Sequence, residues 1–205
     1  MSLSLLNSDQ NEALQEIANI GMGRAGQSIA GVFDEFVELS VPRVREAELV
    51  QLHHAVADLI PDKRLTAVRQ AFFGRVRGEA IVVFGMSGCR DLAGLMGYGS
   101  ELSEGEEDEL LLDVSNVIVS ACLGGIAEQL KADVSFSAPS VLASHASPDM
   151  LFEHTRNAPD GSGALIVEVN FKLERHSFAC SLLMMLPLDG VAAIREALDD
   201  FLASF

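Results

Sequence analysis

One short polar pattern occurs twice in this chain. Glu12, Glu16 and Asn19 are followed after 22 residues by Pro42, and Glu109, Asp113 and Asn116, 97 positions on, are followed after 22 residues by Pro139. Between the outer Glu and the Pro, eight aligned positions are identical: Glu12/Glu109, Leu14/Leu111, Asn19/Asn116, Ile29/Ile126, Ala30/Ala127, Val37/Val134, Ser40/Ser137 and Pro42/Pro139. Self-similarity at a fixed period marks a repeat architecture, but two copies are too few to stack as a solenoid. The spacing therefore predicts a single domain over 1–205, built of two repeats, about 8–97 and 105–203, related by an internal pseudo-twofold.

The element pattern agrees between the halves. Residues 8–32 place Leu14, Ile17, Ala18, Ala25, Ile29 and Val32 on one helical face, with Asn7 or Ser8 as N-cap. A strand is expected over 36–44, ending near Pro42. Residues 46–66 are ambiguous, 67–85 read as a hairpin turning near Arg77-Gly78, and 87–98 as a short helix ending at Gly97. In the second half Ser103 and Glu106 form a capping-box signature before a helix to about Lys131. A strand over 133–143, a short helix over 149–156, a hairpin over 163–187 turning near Glu174–Ser177, and an amphipathic helix over 188–203 follow. Phe73 and Phe171 take similar places in the two hairpins, and 98–105 is the expected linker. The predicted fold class is α/β (α+β): two α-β-(α)-β-β-α halves forming one sandwich, with long helices packed on a continuous, mainly antiparallel sheet.

Composition narrows the functional classes. A net charge of −16 argues against nucleic acid and anionic membrane surfaces, which demand basic patches. Cys89, Cys122 and Cys180 are odd in number and set among apolar neighbours, as expected of reduced core thiols and a cytoplasmic location. The N-terminal stretch has no basic region followed by an apolar run, and uninterrupted apolar stretches such as 81–84 and 182–187 are far short of a membrane span.

On a helix, positions i, i+4 and i+7 share a face. Glu12, Glu16 and Asn19 therefore form a polar stripe, as do Glu109, Asp113 and Asn116. Asn costs roughly 0.5 kcal/mol or more against Ala in a helix interior, because its side chain competes for backbone hydrogen bonds. Its recurrence at equivalent positions suggests a use beyond solubility. An amide both donates and accepts, so it can hold a water in line with an electrophile, and a carboxylate three residues away can anchor a partner's Lys. That is water positioning for phosphoryl chemistry, comparable to the glutamine that orients water in GTPases. Small residues after each Asn (Gly21, Gly23, Ala25 and Gly26; Ser120, Ala121, Gly124 and Gly125) would let another protein's backbone approach.

At these residues the sequence resembles the CheC-like family of chemotaxis phosphatases, with relatives CheX and FliY. Its signature is Asp or Ser, three residues, Glu, two residues, Asn, then 22 residues and Pro. The resemblance covers essentially the whole chain, and the two-motif layout looks more like CheC than single-motif CheX. It implies dephosphorylation of the phospho-aspartate of a CheY-like receiver domain, with Glu16 on the receiver's Lys and Asn19 orienting the attacking water. It implies Asp113 and Asn116 as the second catalytic pair, no covalent intermediate and no cofactor of the protein's own, Mg²⁺ belonging to the receiver. Two departures stand out. The leading residue is Glu in both copies, and Asp113 replaces Glu, withdrawing the carboxylate by about 1.5 Å. A misplacement near 1 Å can cost about 10²-fold in rate, so the first site is expected to be the stronger. The rival reading is a binding module that sequesters a receiver or binds a CheD-like deamidase. A flagellar-switch component like FliY is a third, for which no additional switch-binding domain is read.

Other motifs read as structural. Gly21-Met22-Gly23-Arg24-Ala25-Gly26 matches G-x-G-x-x-G but lies inside a helix, not after a strand as a dinucleotide site requires. His53, His54, His145, His154 and His176 lack metal-ligand spacing. The acidic run 101–109 suits a helix start, Arg69, Arg75 and Arg77 are expected on an exposed hairpin face, and Val191, Ile194, Leu198 and Leu202 form a core stripe.

Overall fold

Each long helix begins where its first side chain can close on its own backbone. In α1 (Ser8–Phe33) the cap is Asn7: its Oδ1 accepts from Gln10 N at 2.8 Å, while Asn7 N donates to Gln10 Oε1 at 3.1 Å. In α3 (Glu104–Gln129) Ser103 N donates to Glu106 Oε2 at 2.9 Å and Ser103 Oγ accepts from Glu106 N at 3.4 Å. Both are capping boxes, which satisfy two of the donors a helix start leaves open. This computed structural model describes residues 5–48, 64–85, 89–99, 102–151, 163–175 and 178–204. Besides α1 and α3 these form α2 (Cys89–Leu95), α4 (Pro148–Leu151) and α5 (Leu188–Leu202). The strands are β1 (Val37–Leu39), β2 (Arg43–Glu48), β3 (Leu65–Gly74), β4 (Gly78–Gly85), β5 (Val134–Phe136), β6 (Ser140–Ala146), β7 (Gly163–Leu173) and β8 (Ala179–Pro187).

The strands expected over 36–44 and 133–143 are each split in two, β1/β2 and β5/β6, around Ser-x-Pro. Proline has no N–H to donate to a ladder, and the serine two residues earlier carries the pairing across the break. Ser40 N donates to Asn170 O at 2.9 Å and its Oγ accepts from Asn170 N at 3.0 Å. Ser137 makes the same pair of bonds to Ala71, at 2.9 and 3.0 Å. The repeated Ser and Pro are thus one device used twice.

Every described strand pairing is antiparallel, and the sheet runs β1–β7–β8–β4–β3–β5, with β2 also on β7 and β6 also on β3. The halves therefore exchange strands: β1 and β2 pair with the second hairpin, β5 and β6 with the first. The register repeats. Val37 faces Leu173 as Val134 faces Gly74, and Arg43 faces Glu168 as Ser140 faces Arg69. Hairpin positions 99 apart, not 98, are therefore equivalent, which corrects one expectation. Phe171 corresponds to Phe72, both buried, whereas Phe73 is 46% exposed. A one-residue slip moves a strand residue to the opposite face.

The central strands β4 and β8 are apolar along nearly their whole length because both faces are covered. Val82, Phe84, Leu182 and Met184 meet α1, α3 and α5 in the main core. Ile81, Val83, Leu183 and Met185 form a smaller cluster on the other face, with Leu151 of α4. In α1 the core stripe ends on Phe33, 2% exposed, and not on Val32, 49% exposed. The buried positions advance by steps of four (Ala25, Ile29, Phe33), and that drift carries Val32 outward. Val191, Ile194 and Leu198 of α5 are buried as expected, while Leu202 is 39% exposed. Arg75 does more than decorate the hairpin, since it pairs with Asp200 of α5. Most of the ambiguous stretch 46–66, the end of the helix expected over 149–156, and four histidines (His53, His54, His154 and His176) lie outside the described residues.

The helices α1 and α3 touch backbone to backbone at Gly21 and Gly125. A Cβ on Gly21 would lie 2.8 Å from Ile126 N, and one on Gly125 would lie 2.6 Å from Gly21 O. Neither side can move away without parting the helices. Gly21→Ala or Gly125→Ala is expected to destabilise the protein by about 1–3 kcal/mol through overpacking, outweighing the ~1 kcal/mol Ala gains in a helix interior. Gly23, with open space around it, is the control: Gly23→Ala should stabilise by ~0.5–1 kcal/mol. Thermal unfolding should show opposite shifts, about 2–4 °C per kcal/mol at this chain length. Equal shifts for all three would contradict the close approach.

Candidate functional site

Helix geometry separates the motifs from the core. Along α1, Ala13, Leu14, Ile17 and Ala18 are buried while Glu12, Glu16 and Asn19 are exposed. Along α3, Leu110, Leu111, Val114 and Ser115 are buried while Glu109, Asp113 and Asn116 are exposed. Each stripe thus lies on the outward side of a helix whose other side packs on the sheet. The small residues divide as well. Gly21 and Gly125 are consumed by the helix crossing, whereas Gly23, one turn beyond Asn19, and Gly124 leave bare backbone. Ile20, 38% exposed, adds an apolar surface beside Asn19. The G-x-G-x-x-G match lies wholly inside α1.

The two motifs differ in what holds them. The side chains of Glu16 and Asn19 have no hydrogen-bond or ion-pair partner among the described residues. The second motif is tied on both sides. Tyr98 Oη donates to Asp113 Oδ2 at 3.2 Å, and Gln70 Nε2 donates to Asn116 Oδ1 at 3.0 Å and to Ser137 O at 2.8 Å. Tyr98 reaches its place because Gly97, at φ 80°, ends the α2 segment in the left-handed conformation, with Tyr98 N donating back to Ala93 O at 2.8 Å. Its phenol is pushed above its ordinary pKa by desolvation first, then by the Asp113 charge and the hydrogen bond to it.

Sequence reasoning missed Tyr98 and Gln70. Tyr98 is the only tyrosine and sits in the expected linker. Gln70 is an amide at a core position of β3, 1% exposed, between the buried Val68 and Phe72. A polar residue at a core position was the available signal for Gln70.

The remaining candidates are structural. Cys122 and Cys180 are buried free thiols, both pushed well above the ordinary thiol range by desolvation. His145 Nε2 lies 3.8 Å from Glu107 of the acidic run, and Ser144 Oγ donates to Asp108 at 3.5 Å. Among the described residues no three His, Cys, Asp or Glu side chains converge as a metal-binding group. One described helix, α3, is long and apolar enough to cross a membrane, and 61% of its apolar stretch is buried within the fold, as a core helix would be.

No family model matches the sequence. Among solved structures, FliY from Thermotoga maritima superposes with a TM-score of 0.72 at 18% identity, over 97% of this chain and 100% of that one. The chain has the CheC/CheX/FliY fold. The FliM middle domain from H. pylori follows at 0.63 and 11% identity, covering 94% and 99%. CheX from Desulfovibrio desulfuricans superposes at 0.51 and 13% identity, covering 82% and 99%. The likeness to FliM spans nearly the whole chain at a lower TM-score than that to FliY, and FliM from H. pylori has been solved in complexes with FliG and with SpeE. Two-motif CheC is not singled out among these neighbours.

The lone tyrosine offers a direct reading of the second motif. With no tryptophan in the chain, phenolate absorbance reports Tyr98 alone. Removing the Asp113 charge by Asp113→Asn is expected to lower the alkaline midpoint, because the carboxylate opposes phenolate formation. An unchanged midpoint would show that Tyr98 and Asp113 do not interact in solution.

Proposed function

We propose that this protein is a phosphatase acting on the phospho-aspartate of a CheY-like receiver domain, in chemotaxis or related two-component signalling. The observation that carries the reading is the exposed Glu16–Asn19 pair, unengaged among the described residues, on a fold shared with FliY and CheX. Glu16 binds the receiver's Lys and fixes the pose. Asn19 orients a water in line with phosphorus. Attack forms the new P–O bond as the bond to the receiver's aspartate breaks, releasing phosphate and a free carboxylate. The Mg²⁺ that neutralises the phosphoryl oxygens belongs to the receiver, and the protein supplies position alone. Asp113 and Asn116 form a second, weaker site.

A ~100-fold acceleration corresponds to about 2.7 kcal/mol of barrier, which one well-placed water supplies. Asn19→Ala should then abolish nearly all acceleration of receiver dephosphorylation with Mg²⁺ present, without loss of fold. The pair Asp113→Ala/Asn116→Ala should cost little, and Asp113→Glu should raise activity. An Asn19→Ala protein that keeps its fold and its full activity would falsify the assignment. Greater damage from the second-site variants would reverse the ranking of the sites.

The second reading is a non-enzymatic binding module. The similarity to FliM, a protein solved in complexes with FliG and SpeE, favours it. It requires that the receiver, or a CheD-like deamidase, binds while receiver decay is unaltered by any of these variants.

A further inference from the structure

The two motifs share a helix face and a backbone register, but the sheet residue beneath each differs. Ser137 bonds the backbone of Ala71 as Ser40 bonds that of Asn170, so the preceding residues, Gln70 and Val169, occupy equivalent positions. Both side chains are buried on the helix side of the sheet, Gln70 at 1% and Val169 at 0% exposure. Only one of them carries a donor.

The polarity of the Gln70 contact follows from its surroundings. Ser137 O can only accept, so the group facing it at 2.8 Å is the Gln70 amide nitrogen. The second hydrogen of that nitrogen meets Asn116 at 3.0 Å, which must present its oxygen. Gln70 Oε1 is left buried with no partner among the described residues. Burying an amide with an unmet acceptor is unfavourable, so this residue is not explained by packing alone. An apolar Val does the packing in the other half.

We infer that Gln70 is a positioning residue that tethers Asn116 by its amide oxygen and holds the second motif back from water positioning, while Val169 leaves Asn19 free. A water attacking phosphorus must give up a proton, so the orienting amide has to present its oxygen to that water. In Asn116 this oxygen already accepts one bond, from Gln70, which uses one of its two lone pairs and fixes how the amide is turned. Asp113 is held in the same way from the other side by Tyr98. This deepens the phosphatase reading and rests on it: the asymmetry between the sites is set by the sheet beneath as well as by the length of Asp113.

The test uses the full chain with Asn19→Ala, so that residual activity reports the second motif. Gln70→Val introduces the residue of the equivalent position, and Gln70→Met keeps the length without a donor. Either is expected to raise kcat for phospho-receiver decay about two- to tenfold, the range set by loss of one net hydrogen bond, with KM unchanged. A fall in kcat would mean that Gln70 holds Asn116 in its working pose, and an unchanged kcat that the tether is idle; both overturn the proposal. Side-chain amide resonances of Asn116 read the tether without reference to activity. They should shift in Gln70→Met while those of Asn19 stay fixed, and an unmoved Asn116 amide would also overturn the proposal. Shifted resonances in a protein whose wild type has no phosphatase activity would uphold the tether and reject the phosphatase reading instead.

Discussion

The contact on which the arrangement depends is the backbone crossing of α1 and α3 at Gly21 and Gly125. Two helices of 26 residues each, about 39 Å long, are locked side by side over one face of the sheet. With no side chain between them at the crossing, their relative height and rotation have little freedom. Rotation is what matters for function. The same turn of helix that buries Ile17 and Ile118 holds Asn19 and Asn116 toward solvent, so packing energy fixes the outward aim of both motifs. The exchanged strands brace this pair from beneath, each Ser-x-Pro break being sewn to the hairpin of the other half.

Duplication gives two equal frames, and the residues placed in them are unequal. The first motif keeps a full-length Glu16 and an Asn19 above an apolar Val169. The second has a shorter Asp113 bonded to Tyr98 and an Asn116 bonded to Gln70. The shorter carboxylate and the two tethers act in the same direction, since each withdraws a polar group from where a partner would meet it. One untethered motif and one tethered motif fit the proposed ranking of the two sites.

Much of this was legible because it is local. The capping boxes, the helical periodicity, the turn of the first hairpin and the outward stripes follow from residues within one or two turns of each other. The paired motif carried the fold class too, because an internal repeat constrains topology more than composition does. The errors in the sheet share a different cause. The splits at Ser40–Pro42 and Ser137–Pro139 depend on bonds to strands over 60 residues away, and the alignment of Phe171 with Phe72 depends on a register that only pairing reveals. Gln70, marked only as a polar residue at a core position, and Tyr98 could not be assigned to the site for the same reason. Their partners are fixed by the exchange of strands and by the left-handed turn at Gly97, neither of which a linear pattern records.

The most direct measurement is the structure of this protein bound to a CheY-like receiver carrying Mg²⁺ and a beryllium fluoride mimic of the phosphoryl group. The account requires α1 against the receiver's active site, Glu16 paired with its Lys, and Asn19 within hydrogen-bond reach of a water in line with the mimic. A receiver seated with Asn19 left in open solvent, or held by a surface that includes neither motif, would contradict it.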